Sequence, residues 1–252
     1  MSTAQQIRQA KKLLQNARHA VALTGAGVST PSGIPDFRSP GSGIWERVDQ
    51  FQVASLFAFR RHPDAFFNCI RPMIRLAQNA VPNPAHHALA EMEHLGLLQA
   101  IITQNIDGLH TRAGSQRVIQ LHGNFQTATC TSCYQVAPGE EVLEFLLTQE
   151  GIPTCDKCGG VFKPNIILFG EQLPFSALQA AQQEIRRCDL ILVAGSSLTV
   201  EPAASLPARA KNNGTQLILV NLQPTQVDNI ADVVIHADVA EVLPQLVNSD
   251  PR

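Results

Sequence analysis

Ala20-Val21-Ala22-Leu23-Thr24-Gly25-Ala26-Gly27-Val28-Ser29 is the stretch on which the fold turns. A short apolar run with no alternation leads straight into a glycine-bearing turn. Such a run suits a strand buried on both faces, as in a parallel sheet covered by helices. Similar runs recur at Ala100-Ile101-Ile102-Thr103, Arg117-Val118-Ile119-Gln120-Leu121, Asn165-Ile166-Ile167-Leu168-Phe169, Asp189-Leu190-Ile191-Leu192-Val193-Ala194, Gln216-Leu217-Ile218-Leu219-Val220 and Asp232-Val233-Val234-Ile235. Helical stretches separate several of them. Upstream, Ile7, Ala10, Leu13, Leu14 and Ala17 fall at helical spacing, with Lys11, Lys12 and Arg18 on other faces. Asn83 as N-cap, Pro84 in the first turn and Gly96 as a stop predict another helix, and Phe175 to Arg187 a third. The sum is an α/β chain with a doubly wound parallel sheet.

Two regions break this rhythm. Residues 41–82 hold no strand signal and read as helical, with Pro63 at a helix start and Pro72 kinking the helix that follows. Residues 126–162 hold four cysteines and few long apolar runs. Both read as insertions that together form a smaller domain.

The balance of charges narrows the function. Lys+Arg is 19 and Asp+Glu 21, a formal net charge of -2, without the basic footprint of a nonspecific nucleic-acid binder. No window reaches the ~18 apolar residues of a membrane span. Met1 to Gln6 lacks the basic-then-apolar pattern of a secretory signal, so a reducing, cytoplasmic compartment is expected. There, six cysteines suggest metal or catalysis before disulfides.

Cys130-x2-Cys133 and Cys155-x2-Cys158 are separated by 21 residues, one more than the usual window for paired knuckles. Each pair presents two thiolates to one ion, and two pairs close a tetrahedral site with no open position. A zinc there is structural; two disulfides or a redox pair are the alternatives. Gly159-Gly160 lets the second knuckle turn tightly. Cys69 and Cys188, in apolar helical contexts, read as inert buried thiols.

Gly25-Ala26-Gly27-Val28-Ser29 can bring backbone N–H groups to a diphosphate, or can be a plain strand–helix turn. The dinucleotide pattern G-x-G-x-x-G fails at Thr30, and no acidic residue closes a second strand about 20 positions on. Both departures count against a hydride-transferring dehydrogenase. Gly33-Ile34-Pro35-Asp36-Phe37-Arg38 puts an acid, an aromatic and a guanidinium on a Pro-directed loop, either functional or a solvated loop with a salt bridge. Thr103-Gln104-Asn105-Ile106-Asp107-Gly108-Leu109-His110 begins where a strand ends, the edge at which open parallel sheets bind ligands. Its amides and carboxylate suit a ligand with an amide and sugar hydroxyls. His122 in Leu121-His122-Gly123 also follows a strand, and is read as a general base or as a structural histidine. Gly195-Ser196-Ser197 and Val220-Asn221-Leu222 end two more strands. Five polar strand ends on one edge point to a nucleotide-using enzyme.

Taken in this order, these stretches resemble the sirtuin family, the NAD-dependent protein deacylases. The resemblance also runs through Lys163-Pro164-Asn165-Ile166-Ile167-Leu168-Phe169-Gly170-Glu171 and Gly195-Ser196-Ser197-Leu198, and covers nearly the whole chain. Sirtuins commonly carry Thr at the position of Ser196, a change that keeps the hydroxyl. The resemblance implies a Rossmann-like NAD-binding domain, discontinuous over 1–40, 83–125 and 163–252. It also implies a small domain made of a helical module, 41–82, and a zinc-binding module, 126–162.

By the same resemblance, Asn105 and Asp107 hold the nicotinamide amide, with Ile34 and Phe37 shaping that pocket. Ala26, Arg38, Gln104, Ser196, Asn221 and Val239 line the rest of NAD, and Gly25, Gly27, Asp36, Ile106, Gly195, Ser197 and Leu222 of the same motifs are read with them. Phe169, Gly170, Glu171 and Leu198 flank an acyl-lysine peptide that adds a strand. NAD is consumed: its nicotinamide–ribose bond breaks, the acyl oxygen captures the sugar, and a neutral His122 activates a ribose hydroxyl against the resulting imidate. Water then completes a sequence that yields free lysine, nicotinamide and O-acyl-ADP-ribose.

Other readings are a mono-ADP-ribosyltransferase, an inactive zinc-knuckle recruiting module and an NAD(P) oxidoreductase. His122, the intact strand ends and the broken dinucleotide pattern weigh against them in turn. Sirtuins that take succinyl- or malonyl-lysine share a Tyr-x-x-Arg pair, whose positions here fall at the apolar Ile70 and Met73. An acetyl preference follows, with longer neutral chains possible, unless the Pro72 kink brings Arg71 or Arg75 into the pocket.

Overall fold

A computed structural model describes residues 2–36 and 49–247. Its helices are α1 (Thr3–Asn16), α2 (Gln50–Val53), α3 (Leu56–Arg61), α4 (Pro63–Asn79), α5 (Pro84–His94), α6 (Leu109–Arg112), α7 (Gly139–Thr148), α8 (Phe175–Arg187), α9 (Leu206–Asn212) and α10 (Val239–Val247). Its strands are β1 (Ala20–Thr24), β2 (Ala100–Thr103), β3 (Val118–Gln120), β4 (Gly123–Cys130), β5 (Val136–Pro138), β6 (Phe162–Ile166), β7 (Leu190–Ala194), β8 (Gln216–Val220) and β9 (Val233–Ile235).

The chain divides into two compact units. The first comprises Met1–Ser32, Val81–Leu121 and Phe175–Arg252 and holds a six-stranded, all-parallel sheet. Its order, β3-β2-β1-β7-β8-β9, reverses direction between β1 and β7, the switch point of a doubly wound sheet. β1 and β7 are buried at every position, which is why their sequences do not alternate. Ala20, Ala22, Leu190, Leu192 and Ile218 pack with Leu14 of α1, Leu89 and Met92 of α5 and Leu243 of α10. The alternate residues Val21, Leu23, Ile191, Val193 and Leu219 have no exposed surface either. The other face is therefore covered as well, by α8 and α9, which contact β3, β7 and β8.

Local signals set the helix ends. Asn83 Oδ1 accepts the Ala85 amide at 2.9 Å, Pro84 occupies the first turn, and Gly96 leaves α5 at φ +74°. Pro63 opens α4, which carries Pro72 within it and continues to Asn79.

The second unit comprises Gly33–Ala80 and His122–Pro174, with an antiparallel sheet of order β5-β4-β6. The Asn165–Phe169 run, expected in the parallel sheet, belongs here. Its strand is β6, whose burial alternates, so only one face is covered. Pro164 cannot donate to a ladder and is tolerated because β6 is an edge strand. The apolar run continues past the strand because Leu168 is buried and Phe169 packs its ring 5.1 Å from Phe51. Phe59, Phe66 and Phe67 form the aromatic core of the helical part, with ring centroids 5.0–5.8 Å apart. Among the described residues no helix is long and apolar enough to cross a membrane.

Candidate active site and metal centre

The glycines at the switch point serve a close approach of backbone to backbone. Gly27 donates to the Gly195 carbonyl at 2.8 Å, and Gly25 to that of Ala194 at 3.3 Å. A Cβ on Gly25 or Gly27 would lie 2.9 Å from the Gly195 oxygen, and one on Gly195, at φ +59°, 2.4 Å from the Val28 nitrogen. What these glycines approach is the facing turn after β7. Ala26 stays half-exposed beside them.

The carboxyl end of β2 carries the densest polar set. Asn105, 9% exposed, donates from Nδ2 to the Gly25 carbonyl and to Ser29 Oγ, each at 3.1 Å. Ser29 Oγ donates to Asp107 Oδ2 at 2.7 Å, and the Leu109 amide to Asp107 Oδ1 at 2.8 Å. Both Asp107 oxygens thus accept hydrogen bonds. His86 Nδ1 accepts the Asn83 amide at 3.3 Å, so its proton sits on Nε2, 3.4 Å from Ser29 Oγ. Below lies a second chain of hydroxyls. Thr24 Oγ1 donates to Thr103 Oγ1 at 2.8 Å and accepts from His110 Nε2 at 2.9 Å, and Thr103 Oγ1 accepts the Asn105 amide at 3.1 Å. Burial lowers His86 to about 4 and His110 to about 3, so both imidazoles stay neutral at physiological pH.

Ser29 was legible as part of the glycine turn but carried no assigned role; Thr24, Thr103, His86 and His110 had none either. Thr24, Thr103 and His110 lie in the quoted stretches, but their pairing depends on elements distant in sequence and left no local signal.

Two neighbouring strand ends complete this edge. Gln104 Nε2 donates to the buried Ser196 Oγ at 2.8 Å. Asn221, 8% exposed, donates from Nδ2 to the Gln223 carbonyl at 2.6 Å. Ile106 is half-buried, Ser197 and Leu222 are exposed, and Leu198 is buried. Val239 begins α10 and lies in the hydrophobic core at 4% exposure. Buried amides and hydroxyls, with the half-buried Gln104 and Asp107, form along one edge a donor and acceptor set that fits a dinucleotide with an amide and riboses.

The second unit carries the remaining candidates. His122, half-buried, sits between β3 and β4, and its carbonyl accepts the Ile167 amide at 2.9 Å. Ile34 and Asp36 are half-buried, while Phe37 and Arg38 lie outside the described residues. Phe169 bridges Ser55, and its amide donates to the Ala54 carbonyl at 2.9 Å. Gly170, at φ +86°, turns the chain so that Glu171 Oε2 accepts the Leu168 amide at 2.8 Å. Lys163 Nζ pairs with the same carboxylate at 2.9 Å.

The four cysteines converge. The sulfurs of Cys130, Cys133, Cys155 and Cys158 lie within 4.8 Å of one another. Cys130–Cys158 is 3.5 Å and Cys133–Cys155 3.8 Å, near the ~3.8 Å edge of a tetrahedron with Zn–S bonds of about 2.3 Å. All four are free thiols, with no disulfide between them. Gly160 has no room for a side chain: a Cβ there would lie 2.8 Å from Cys130 Sγ. The Cys133 amide draws the Cys130 thiol down to about 6, towards the thiolate that a metal takes. These residues fit a zinc ion with no open coordination position. Burial pushes the other two thiols up, Cys188 to about 11, away from reactivity.

Of the arginines of α4, Arg71 is held by main-chain carbonyls of the segment around the end of α7. Arg71 donates to the carbonyls of Leu146 and Gln149, and to that of Gly151 at 2.9 Å. It caps the C-terminal carbonyls of α7. Arg75 lines the same cleft of about 640 Å³, with Asp64 and Asn68. Ile70 is buried and apolar, and Met73 half-buried.

The model of the Sir2 family matches residues 25–202. The NAD-dependent protein deacylase 2 of Archaeoglobus fulgidus is 46% identical over 248 residues, 98% of this chain and 97% of that protein. The NAD-dependent protein deacetylase of Thermodesulfovibrio yellowstonii is 44% identical over 244 residues, 97% of this chain and 95% of that one. Among solved structures, a Sir2 protein with p53 peptide and NAD+ superposes with a TM-score of 0.88 at 42% identity, covering 95% of this chain and 96% of that one.

Proposed function

The chain belongs to the Sir2 family, and we infer from that premise that it is an NAD-dependent protein-lysine deacetylase. Its substrates are acyl-lysine proteins and NAD, and its four-cysteine site is that of a structural zinc. The observation that carries the reading is the hydrogen-bonded set Asn105–Ser29–Asp107 at the switch-point edge. NAD supplies a cleavable nicotinamide and an ADP-ribose acceptor for the acyl group.

The chain's own residues do the rest. Asn105 and Asp107 orient the carboxamide, and the neutral His86 and His110 beneath them add no charge to that pocket. Gly25, Ala26, Gly27, Gln104, Ile106, Gly195, Ser196, Ser197, Asn221, Leu222 and Val239 follow the dinucleotide, with Ile34, Asp36, Phe37 and Arg38 contributed by the loop. His122 takes the proton of a ribose hydroxyl. Phe169, Gly170, Glu171 and Leu198 receive the peptide. The parallel-sheet unit carries NAD binding and the second unit the metal. Action in the cytoplasm is consistent with the reduced thiols.

Incubation with NAD and an acetyl-lysine peptide tests this reading. Loss of the acetyl group together with nicotinamide release is expected. A peptide that gains ADP-ribose, or a reduced nicotinamide, would replace it with transferase or oxidoreductase chemistry.

Asp107→Asn puts an amide NH2 where one of two donors, Ser29 Oγ or the Leu109 N–H, now finds an acceptor. Nicotinamide release should fall by about 10–100-fold, the value of a hydrogen bond to a charged group. Asn105→Ala should act likewise. Inhibition by added nicotinamide should weaken in both variants, and an Asp107→Asn enzyme with normal turnover and normal inhibition refutes the assignment.

An apolar acyl pocket follows from Ile70 and Met73, with Arg71 committed to α7. A buried, unpaired succinyl carboxylate costs several kcal/mol, so kcat/KM should be about 100-fold lower for succinyl- than for acetyl-lysine in one peptide. Equal rates, lost again in Arg71→Ala or Arg75→Ala, would show that an arginine reaches the acyl group.

A further inference from the structure

Leu198 is held in a conformation that leucine disfavours. Its φ is +51°, and among the described residues only Tyr134 shares a positive φ without being glycine. Left-handed backbone brings Cβ against the next carbonyl, so such residues persist only where their surroundings over-determine them. Leu198 cannot escape to solvent either, since it is 1% exposed.

Both of its peptide groups are tied. Its N–H donates to Ser196 Oγ at 3.3 Å, the hydroxyl that also accepts from Gln104 Nε2. Its carbonyl accepts from Gln226 Nε2 at 2.6 Å. Gln226 comes from a different segment, the turn after β8, and that turn is itself braced. Thr225 donates from N and Oγ1 to Asp228 Oδ1, at 2.8 and 2.7 Å. Asp228 Oδ2 lies 3.0 Å from His236 Nε2, and His236 Nδ1 lies 3.0 Å from the Asn221 carbonyl. Val227 anchors the turn at 3% exposure. A preorganised amide therefore meets the one buried residue that needs holding.

We propose that Gln226 is a positioning residue for the peptide substrate: it clamps the strained Leu198 so that the peptide groups on either side face an added strand. This rests on the peptide-binding role of Leu198 given above. Release of the clamp lets Leu198 relax, which rotates the groups that an incoming strand would bond. Ser196 Oγ accepts from both Gln104 Nε2 and the Leu198 N–H, and its shorter bond to Gln104 survives a shift of Leu198, so NAD binding should be spared.

The test uses the full chain with zinc and compares wild type, Gln226→Ala and Gln226→Glu. The glutamate keeps the length of the side chain but cannot donate to a carbonyl. A fluorescent acetyl-lysine peptide should bind both variants about fivefold more weakly, the factor that loss of one hydrogen bond produces. The peptide KM should rise alike, with the NAD KM and melting temperature unchanged. Unchanged peptide affinity in Gln226→Ala overturns the proposal, as does wild-type affinity in Gln226→Glu. A matched rise in NAD KM with a fall in melting temperature would mark a merely structural role. Absence of NAD-dependent turnover in the wild type would sink the deacetylase reading instead, while peptide affinity judges Gln226 without turnover.

Discussion

His122→Ala should lower NAD-dependent deacetylation by about 10²–10⁴-fold, the range for loss of one general base. The joint that holds this residue does not depend on its imidazole. The bond from the Ile167 amide to the His122 carbonyl survives the substitution. Gly123, next in the chain at φ +71°, fixes the turn, because a Cβ there would lie 2.0 Å from the Asn165 oxygen. The variant should therefore keep this main-chain joint and its zinc. In the role proposed for it the base acts on a ribose hydroxyl after the nicotinamide bond has broken, so exchange of labelled nicotinamide into NAD should continue. Near-wild-type deacetylation with zinc retained would remove His122 from its role. Loss of exchange along with deacetylation would show that the residue acts earlier, in binding.

Removal of the metal should be as damaging, for a different reason. The knuckles join the end of β4, at Cys130, to the segment that follows α7, at Cys155 and Cys158. Structural zinc sites contribute ~10–16 kcal/mol in small peptides, as much as a whole domain's net stability. Cys155→Ala should therefore bind no zinc and melt at least about 10 °C lower, since roughly 2–4 °C accompanies each kcal/mol in a chain of this size. Activity should fall with structure and not before it, because four thiolates leave no position for a reacting group. Elemental analysis that finds no zinc in folded, active protein contradicts this. So does activity that tracks added metal at constant melting temperature.

The parallel sheet was legible because its strands are covered on both faces, which writes β1, β7 and β8 as unbroken apolar runs. The same signal cannot tell which sheet a run joins, and Asn165–Phe169 was assigned to the wrong one. Pro164, one residue before that run, was the available warning. The cysteines were legible because their paired spacing favours a common ion over two disulfides or a redox pair. The polar strand ends were legible as positions, not as a network. That Ser29 would bridge Asn105 and Asp107, or that His86 and His110 would lie beneath them, depends on β1, β2, α5 and α6 meeting in space. Gln226 was illegible for the same reason: its partner Leu198 is 28 residues away and looks unremarkable until its φ is known.

The most direct test of the central claim follows the acyl group itself. A peptide bearing ¹³C-acetyl-lysine, incubated with enzyme and NAD, should give free lysine peptide, nicotinamide and labelled O-acetyl-ADP-ribose in equal amounts. Label recovered at the start of the reaction as free acetate, with NAD intact, would contradict it.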